Sequence, residues 1–600
     1  MRALALLCGL TTALLAQDKG WGLPPHSALE FERKQTLTTR VLETKEQPPP
    51  GGENPDLGIF RGLVPAPVLL AGELDKEQRI RSTPPVDLRD LANYVAFDLR
   101  KPVRGKVRYV LPLVPPFGDV IVQARCEQIA ADGMQKLVAD VSRVVPEPGD
   151  MHREHFAAWV APHCTHDLVG TLTITRHLDA ETGFVDRFTA ELAGTVTYPQ
   201  AQARRRASFR IDESWQWQRL VRSADAALKT RVHDAIRLGS RYVKGHLENP
   251  AMPELGAQRA EGERTTYGSG RLALAILTVL KAEEDPNDKV VQAALDELRR
   301  REVLDTYSLA LAIMAVEAAY APSGERQALL SGQLQRPLPR KPSAADRKLL
   351  QAWTDRLLAN TDQRVDKGYR LRWSYVAETR YDNSNTQYAL LGLWSAHLCG
   401  IEIPAGTWLA AANHFLQDQR KPKPPALPLQ LVTYHELERA ADAGRTVSAA
   451  RRVEPAGWSY IGEDTKPAYS SMTCAGLTGL TICGAILRET RRGGGVLPRI
   501  DKSIEAGFAW LAEHFTLRSN PGYAGAYAEW PDYHLYSLER ACELSRIALL
   551  QDRDWYFEGT MLLLPRQLTS GEFAPGRLES TCFGVLFLKK AALPVVTGGR

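Results

Sequence analysis

From about residue 224 onward, apolar positions recur with a helical period, and the character of successive helices alternates. Val290, Val291, Ala294, Leu295 and Leu298 form one apolar stripe, with Gln292, Asp296, Glu297 and Arg299 opposite and Asp285-Pro286 ahead of the start. That spacing predicts a helix with one wet side. The next run, "DTYSLALAIMAVEAAY" from Asp305, is apolar nearly all round, as a helix buried on most sides must be. Amphipathic segments are expected to begin near 225, 287, 344, 404, 501 and 554. Each is followed by a more apolar partner beginning near 265, 305, 384, 470, 532 and 578. Stacked helix pairs of this kind form an open solenoid or close on themselves, and six pairs favour a closed double-layered ring.

The preceding region reads differently. Between about 95 and 220, alternating and β-branched runs such as "KVRYVLPLV", "GTLTITRHL" and "ASFRIDESWQW" predict strands, with a hairpin at "DAETG", residues 179 to 183. The expected organisation is a signal peptide over 1–16, a Pro-rich, partly ordered lead-in over 17–90, an antiparallel sandwich or barrel over 91–222, and the helical region over 223–600. The fold class is therefore mainly α, preceded by a smaller antiparallel β-rich domain.

Composition narrows the function classes. A formal charge of +5 is spread over 75 basic and 70 acidic residues without a dense basic block, so no nucleic-acid partner is expected. The start, "MRALALLCGLTTALLAQDKG", carries Arg2 and an apolar run to Ala16, the pattern of an export signal. Leu7 ahead of Cys8 is too bulky for lipid attachment there. No later segment reads as long enough and free enough of charge to span a membrane, which places the mature chain in a periplasm or outside the cell. Seven cysteines follow the signal, an odd and widely spaced set that reads as buried thiols rather than a disulfide framework.

Near the C-terminus, Gly559, Leu562-Leu563, Gln567, Gly571 and Phe573 fall at a fixed spacing, and Gly507, Trp510 and Leu511 repeat its first half. This resembles the repeat of squalene-hopene cyclases and protein prenyltransferase β subunits, in which a glutamine and a Gly-x-Trp link an outer helix to the next inner one. "RWSYVAETRYDNSNTQYALLGLWSA" and "AGWSYIGEDTKPAYSSMTCAGLTGL" are similar to that repeat too, with an aromatic pair, a polar bridge and a Ser/Thr-rich first turn. The resemblance covers roughly the last 370 residues and implies an α/α toroid of about six helix pairs.

The chemistry of that family does not carry over. The Asp-x-Asp-Asp acid of the cyclases has no counterpart, "DRD" at 552–554 being the nearest run. Pro467 and Tyr469 stand where prenyltransferases need their zinc-binding Asp and Cys. "HELER" at 435–439 lacks the second histidine of a zincin helix. His152, His155, His163, Cys164 and His166 are crowded together but match no established metal spacing. Neither a metal nor a cofactor is expected.

What remains is the end of the ring formed by the starts of the inner helices. Aromatic residues cluster there: Trp373, Tyr375, Tyr381, Trp458, Tyr460, Tyr469, Tyr523, Tyr527, Trp530 and Tyr533. Asp382, Asn385, Gln387, Ser471, Glu539 and Glu579 supply polar groups beside them. Such a set fits a carbohydrate, lipid or other apolar ligand. His534 with Tyr536 and Arg540 is the most enzyme-like group, because His or Tyr can act as a base and Arg can neutralise a carboxylate. The first expectation is an exported ligand-binding or scaffold protein, with a small ligand or another exported protein as partner. The alternative is a lyase or hydrolase of carbohydrate, or an enzyme acting on a terpenoid-like substrate. Convergence of His534, Arg540, Asp382 and Glu579 around one cavity would distinguish the two.

Overall fold

The computed structural model describes residues 27–41, 68–70, most of 106–222 and most of 225–594. The signal segment, the cluster from His152 to His166, and Tyr523, Tyr527 and Trp530 lie outside the described residues. The chain separates into two compact units near Lys229.

The first unit is one antiparallel sheet. Its strands are β1 Ser27–Val41, β2 Val68–Leu70, β3 Lys106–Pro112, β4 Asp119–Ile129, β5 Met134–Arg143, β6 Asp167–Leu178, β7 Val185–Gln200 and β8 Ala203–Arg222. The order is β2-β1-β8-β7-β6-β5-β4-β3, a single sheet where a sandwich would have two. Burial follows the two-residue period: Leu168, Leu172 and Ile174 in β6, Leu192 in β7 and Phe209 and Ile211 in β8 are buried, while Val169 between them is exposed. The buried face also holds polar groups that are paired. Arg176 donates to Gln135 Oε1 at 2.9 Å, and the Trp215 indole donates to Glu213 at 2.8 Å.

Within the expected lead-in over 17–90, β1 is an ordered strand. Ser27–Val41 pairs with β8 along its length, from Ser27 opposite Arg222 to Val41 opposite Ala207. Its sequence, with Glu30, Glu32, Arg33 and Lys34, shows little apolar alternation, and its partner lies far downstream.

The second unit is helical. Its elements are α1 Ala226–Leu247, α2 Gly268–Lys281, α3 Lys289–Arg300, α4 Thr306–Ala319, α5 Glu325–Leu330, α6 Ala344–Ala359, α7 Asn383–Leu398, α8 Ala405–Asp418, α9 Ser470–Glu489, α10 Val496–Glu513, α11 Pro531–Leu544, α12 Trp555–Leu563 and α13 Leu578–Lys589. Apart from short α5, every start lies within a few residues of the position set by the hydrophobic pattern. Acidic and hydroxyl side chains fix several of these starts by accepting orphan backbone N–H groups: Asp288 from Val290, Asp305 from Ser308, Ser343 from Asp346, Asp382 from Asn385 and Asp554 from Phe557. The two types of helix differ as the pattern requires. In α3 only Val291, Ala294, Leu295 and Leu298 are buried, whereas α4 is buried from Ser308 to Ala318.

Packing follows the more apolar set. α2 packs on α4, α4 on α7, α7 on α9, α9 on α11, α11 on α13, and α13 on α2. α3 packs against α2, α6 against α4 and α7, and α8 and α10 both against α9. α9 is long and apolar enough to cross a membrane, unlike the sequence expectation, but it is buried inside this helix set.

A recurrent junction connects the two sets. The Trp373 N–H donates to Thr386 Oγ1, the Trp458 N–H to Thr473 Oγ1 and the Phe573 N–H to Thr581 Oγ1, at 3.1 to 3.2 Å. Each threonine lies in the first turn of an apolar helix, and a small residue follows three positions later: Ala389, Gly476 and Gly584. A Cβ on Gly476 would strike the Trp458 ring, and one on Gly584 would lie 2.9 Å from the Phe573 ring. The Gln567 side chain bridges the last junction, and Gly571 adopts φ +102°, which a Cβ would disfavour.

The segment after α8 reaches the opposite end of these helices from their first turns. β9 Leu427–Leu429 pairs with β11 Arg451–Val453, and β10 Leu431–Thr433 pairs with β12 Ile547–Leu550, just beyond the end of α11. Tyr434 donates its hydroxyl to Glu543 near the C-terminus of α11 and accepts from Lys590 Nζ at 3.1 Å.

Candidate functional site

The first turns of α4, α7 and α11 meet in one hydrogen-bonded chain. The Tyr307 hydroxyl donates to Ser384 Oγ at 2.6 Å, Ser384 Oγ shares a 2.8 Å hydrogen bond with the Tyr533 hydroxyl, and Tyr533 donates to Gln387 Oε1 at 3.0 Å. Tyr307 and Tyr533 are partly exposed while Ser384 and Gln387 are buried, so two partly exposed rings are tied to buried polar side chains of α7. Burial pushes the Tyr307 and Tyr533 hydroxyls above the usual phenol range, which keeps both protonated.

A second chain lies beside it. The Tyr375 and Tyr460 hydroxyls are 3.2 Å apart, and the Tyr375 ring packs against Tyr307 at 5.5 Å between centroids. The Asp382 carboxylate accepts the Asn385 backbone N–H and side-chain amide, both at 2.7 Å. Burial raises the Asp382 carboxyl to about 6, opposed by the hydrogen bonds from Asn385 and Tyr460. Four partly exposed tyrosines, a buried acid and two amides are therefore gathered at the helix starts.

Not all expected residues face this end. Trp373 and Trp458 are fully buried, their indole N–H groups donating to the Leu357 and Phe415 carbonyls, each at 2.8 Å. Tyr381 is equally buried, with its hydroxyl on Asp418 at 2.9 Å and the Arg372 guanidinium over its ring. These three bind helix layers together rather than lining an open surface. Tyr469 is buried at the N-cap position of α9, and the Ser471 N–H donates to Asn520 Oδ1.

The enzyme-like quartet does not converge. His534 is buried, its Nε2 lying 2.7 Å from Ser470 Oγ, and burial lowers its pKa to about 4. The Arg540 guanidinium lies over the Tyr536 ring, 4.5 Å from its centroid, and is ion-paired with Glu539 at 3.2 Å. Glu539 is fully buried, accepts the Ala592 N–H at 2.9 Å, and is raised to about 7 chiefly by burial. Asp382 caps α7, and Glu579 pairs with Arg271 at 2.5 Å on a partly exposed surface. The space between α7, α11 and α13 is filled by rings: Tyr388 lies 6.3 Å from Tyr533 and 6.2 Å from Tyr536, and Tyr536 lies 4.9 Å from Phe583.

Tyr307, Ser384 and Tyr388 escaped the sequence reading. The available signal was a tyrosine just inside a helix start beside an aspartate, as in Asp305-Thr306-Tyr307 and Asp532-Tyr533. Among the described residues no group of three or more His, Cys, Asp or Glu side chains is placed to hold a metal ion. The strand unit has a recess of about 280 Å³ lined by residues including Arg187, Phe188 and Trp215, where no sequence candidate falls. Comparison of the chain with family models and with characterised proteins gives no match.

Proposed function

We propose that this is an exported ligand-binding protein in which a prenyltransferase- and squalene-cyclase-like α/α toroid serves as scaffold, with its ligand held at the first turns of the inner helices. The return of α13 onto α2 and the three aromatic–threonine–small-residue junctions support the toroid. The observation that carries the binding reading is the Tyr307–Ser384–Tyr533–Gln387 chain. It joins three separate helices at one end, where partly exposed tyrosine rings offer edges suited to a carbohydrate or a mixed polar and apolar ligand. The scattering of His534, Arg540, Asp382 and Glu579 favours binding over catalysis.

Native mass spectrometry of the purified mature protein, followed by a glycan and lipid binding screen, tests this. Binding that is lost in Ser384→Ala and Tyr533→Phe supports it, and binding unaffected by both variants removes it. One observation favours an enzymatic second reading: Asp382 is a buried carboxyl with a raised pKa beside the Tyr460 hydroxyl. Turnover of a polysaccharide or terpenoid that disappears in Asp382→Asn would establish that reading.

A further inference from the structure

The recess of the strand unit lies on the partly exposed face of the sheet, the face that carries Val169. Its lining follows from the strand register. Thr175 in β6 stands opposite Thr189 in β7, and Thr189 opposite Ser214 in β8, so three hydroxyl side chains form one row across three strands. Neighbouring strands stand about 4.8 Å apart, which makes the row about 10 Å long. Arg187 and Gln216, paired in register, stand in the adjacent row of the same face, and Met134 at the start of β5 belongs to that row through His177. Phe188 and Trp215 complete the lining between the two rows. Both are 2% exposed and turn their rings to the buried face, where they stack at 5.4 Å and hold β7 and β8 in place beneath the recess.

We propose that this recess binds a single acidic sugar unit, a hexuronate, independently of the tyrosines of the helical unit. Its volume of about 280 Å³ is small for a ligand pocket and suits one sugar ring rather than a longer glycan. The three hydroxyl side chains and the Gln216 amide both donate and accept hydrogen bonds, as sugar hydroxyls do. Arg187 is the one charged residue of the lining among the described residues, and a guanidinium takes a planar carboxylate through two parallel hydrogen bonds. One guanidinium balances the single charge of a uronate, whereas a phosphate monoester carries nearly two. The acids of the row beyond the hydroxyls, Glu191 and Asp212, are ion-paired with Arg210 at 3.0 and 2.9 Å.

Saturation-transfer NMR on the purified mature protein, with glucuronate and separately with glucose, tests the site. Arg187 and Thr189 are exposed, and valine keeps the β-branched shape of threonine, so Arg187→Ala and Thr189→Val should melt as wild type does. Glucuronate should bind in preference to glucose, about tenfold more weakly to Arg187→Ala and severalfold more weakly to Thr189→Val. No response to glucuronate, an equal response to glucose, or binding that both variants leave unchanged would overturn the proposal. Glucuronate binding that is lost in Ser384→Ala instead would overturn it too, while leaving the tyrosine chain as the ligand site.

Discussion

Gln567 and Ala235 stand 332 positions apart, yet the Gln567 side-chain amide donates to the Ala235 carbonyl at 2.8 Å and also to that of Gly571 at 3.0 Å. One side chain thus ties the loop before α13 to the first helix of the unit. Gln567→Ala removes both bonds and is expected to cost about 1–2 kcal/mol. Gln567→Glu should cost at least as much, because a carboxylate cannot donate to either carbonyl. Urea denaturation checks this, and a Glu variant as stable as wild type would show that the bridge contributes nothing.

Gly476 marks a second such contact. The Trp458 ring rests against it and is anchored by its indole N–H on the Phe415 carbonyl, so the ring has little freedom to yield. Gly476→Ala should therefore destabilise by roughly 1–3 kcal/mol. Gly406, in α8, provides the contrast, since an added Cβ meets nothing within 4 Å. Gly406→Ala should be stabilising by about 0.4–1 kcal/mol. Equal midpoints for the two alanine variants would contradict the packing argument.

The helix starts were legible because apolar period and capping residues agree locally, as at Asp288 with Val291 and Leu295 or Asp305 with the run after it. Gln567, Gly571 and Phe573 were singled out by the resemblance to the repeat, while the long-range bond from Gln567 to Ala235 was not legible in the sequence. β1 was not, because its register is set by β8 rather than by its own pattern. Nor was the Tyr307–Ser384–Tyr533 chain, in which a single hydrogen bond joins residues 149 positions apart. The aromatic residues Trp373, Tyr381 and Trp458 were recognisable as important, but composition alone does not distinguish a buried staple from a ligand wall.

Asp382 and His534 should drive stability in opposite directions with pH. The Asp382 carboxyl is raised to about 6 in the folded protein from an ordinary 3.8, so its stabilising contribution is complete below 3.8 and lost as pH rises through 6. Two pH units correspond to about 3 kcal/mol. Asp382→Asn keeps a capping side chain and removes this titration, so the variant should gain relative to wild type as pH rises from 4 to 7. His534 is lowered to about 4 from 6.5, so its contribution is present above 6.5 and lost as pH falls through 4. His534→Gln should flatten that acid limb. Denaturation midpoints at several pH values read both, and parallel profiles for wild type and either variant would refute the corresponding assignment.

The segment between α8 and α9 should depend on a single hydroxyl. Tyr434 donates to Glu543, which is fully buried and also held by Arg326 at 2.5 Å, while Lys590 Nζ lies 3.9 Å from the Tyr556 ring centroid and donates to the same Tyr434 oxygen. Tyr434→Phe leaves the ring in place but removes one hydrogen bond from a buried carboxylate and one from a partly buried ammonium. Hydrogen bonds to charged groups contribute about 1.5–3 kcal/mol each, and the loss falls most heavily on Glu543, whose carboxylate is fully buried. The destabilisation should be local, because β10 and β12 pair over only a few residues and Tyr434 directly follows β10. Hydrogen exchange should therefore accelerate across residues 431–434 and 547–550 well before the α9 and α11 amides respond. Uniform acceleration through the helices would mean that Tyr434 supports the whole unit, whereas unchanged exchange in the strands would mean that the backbone ladder suffices without it.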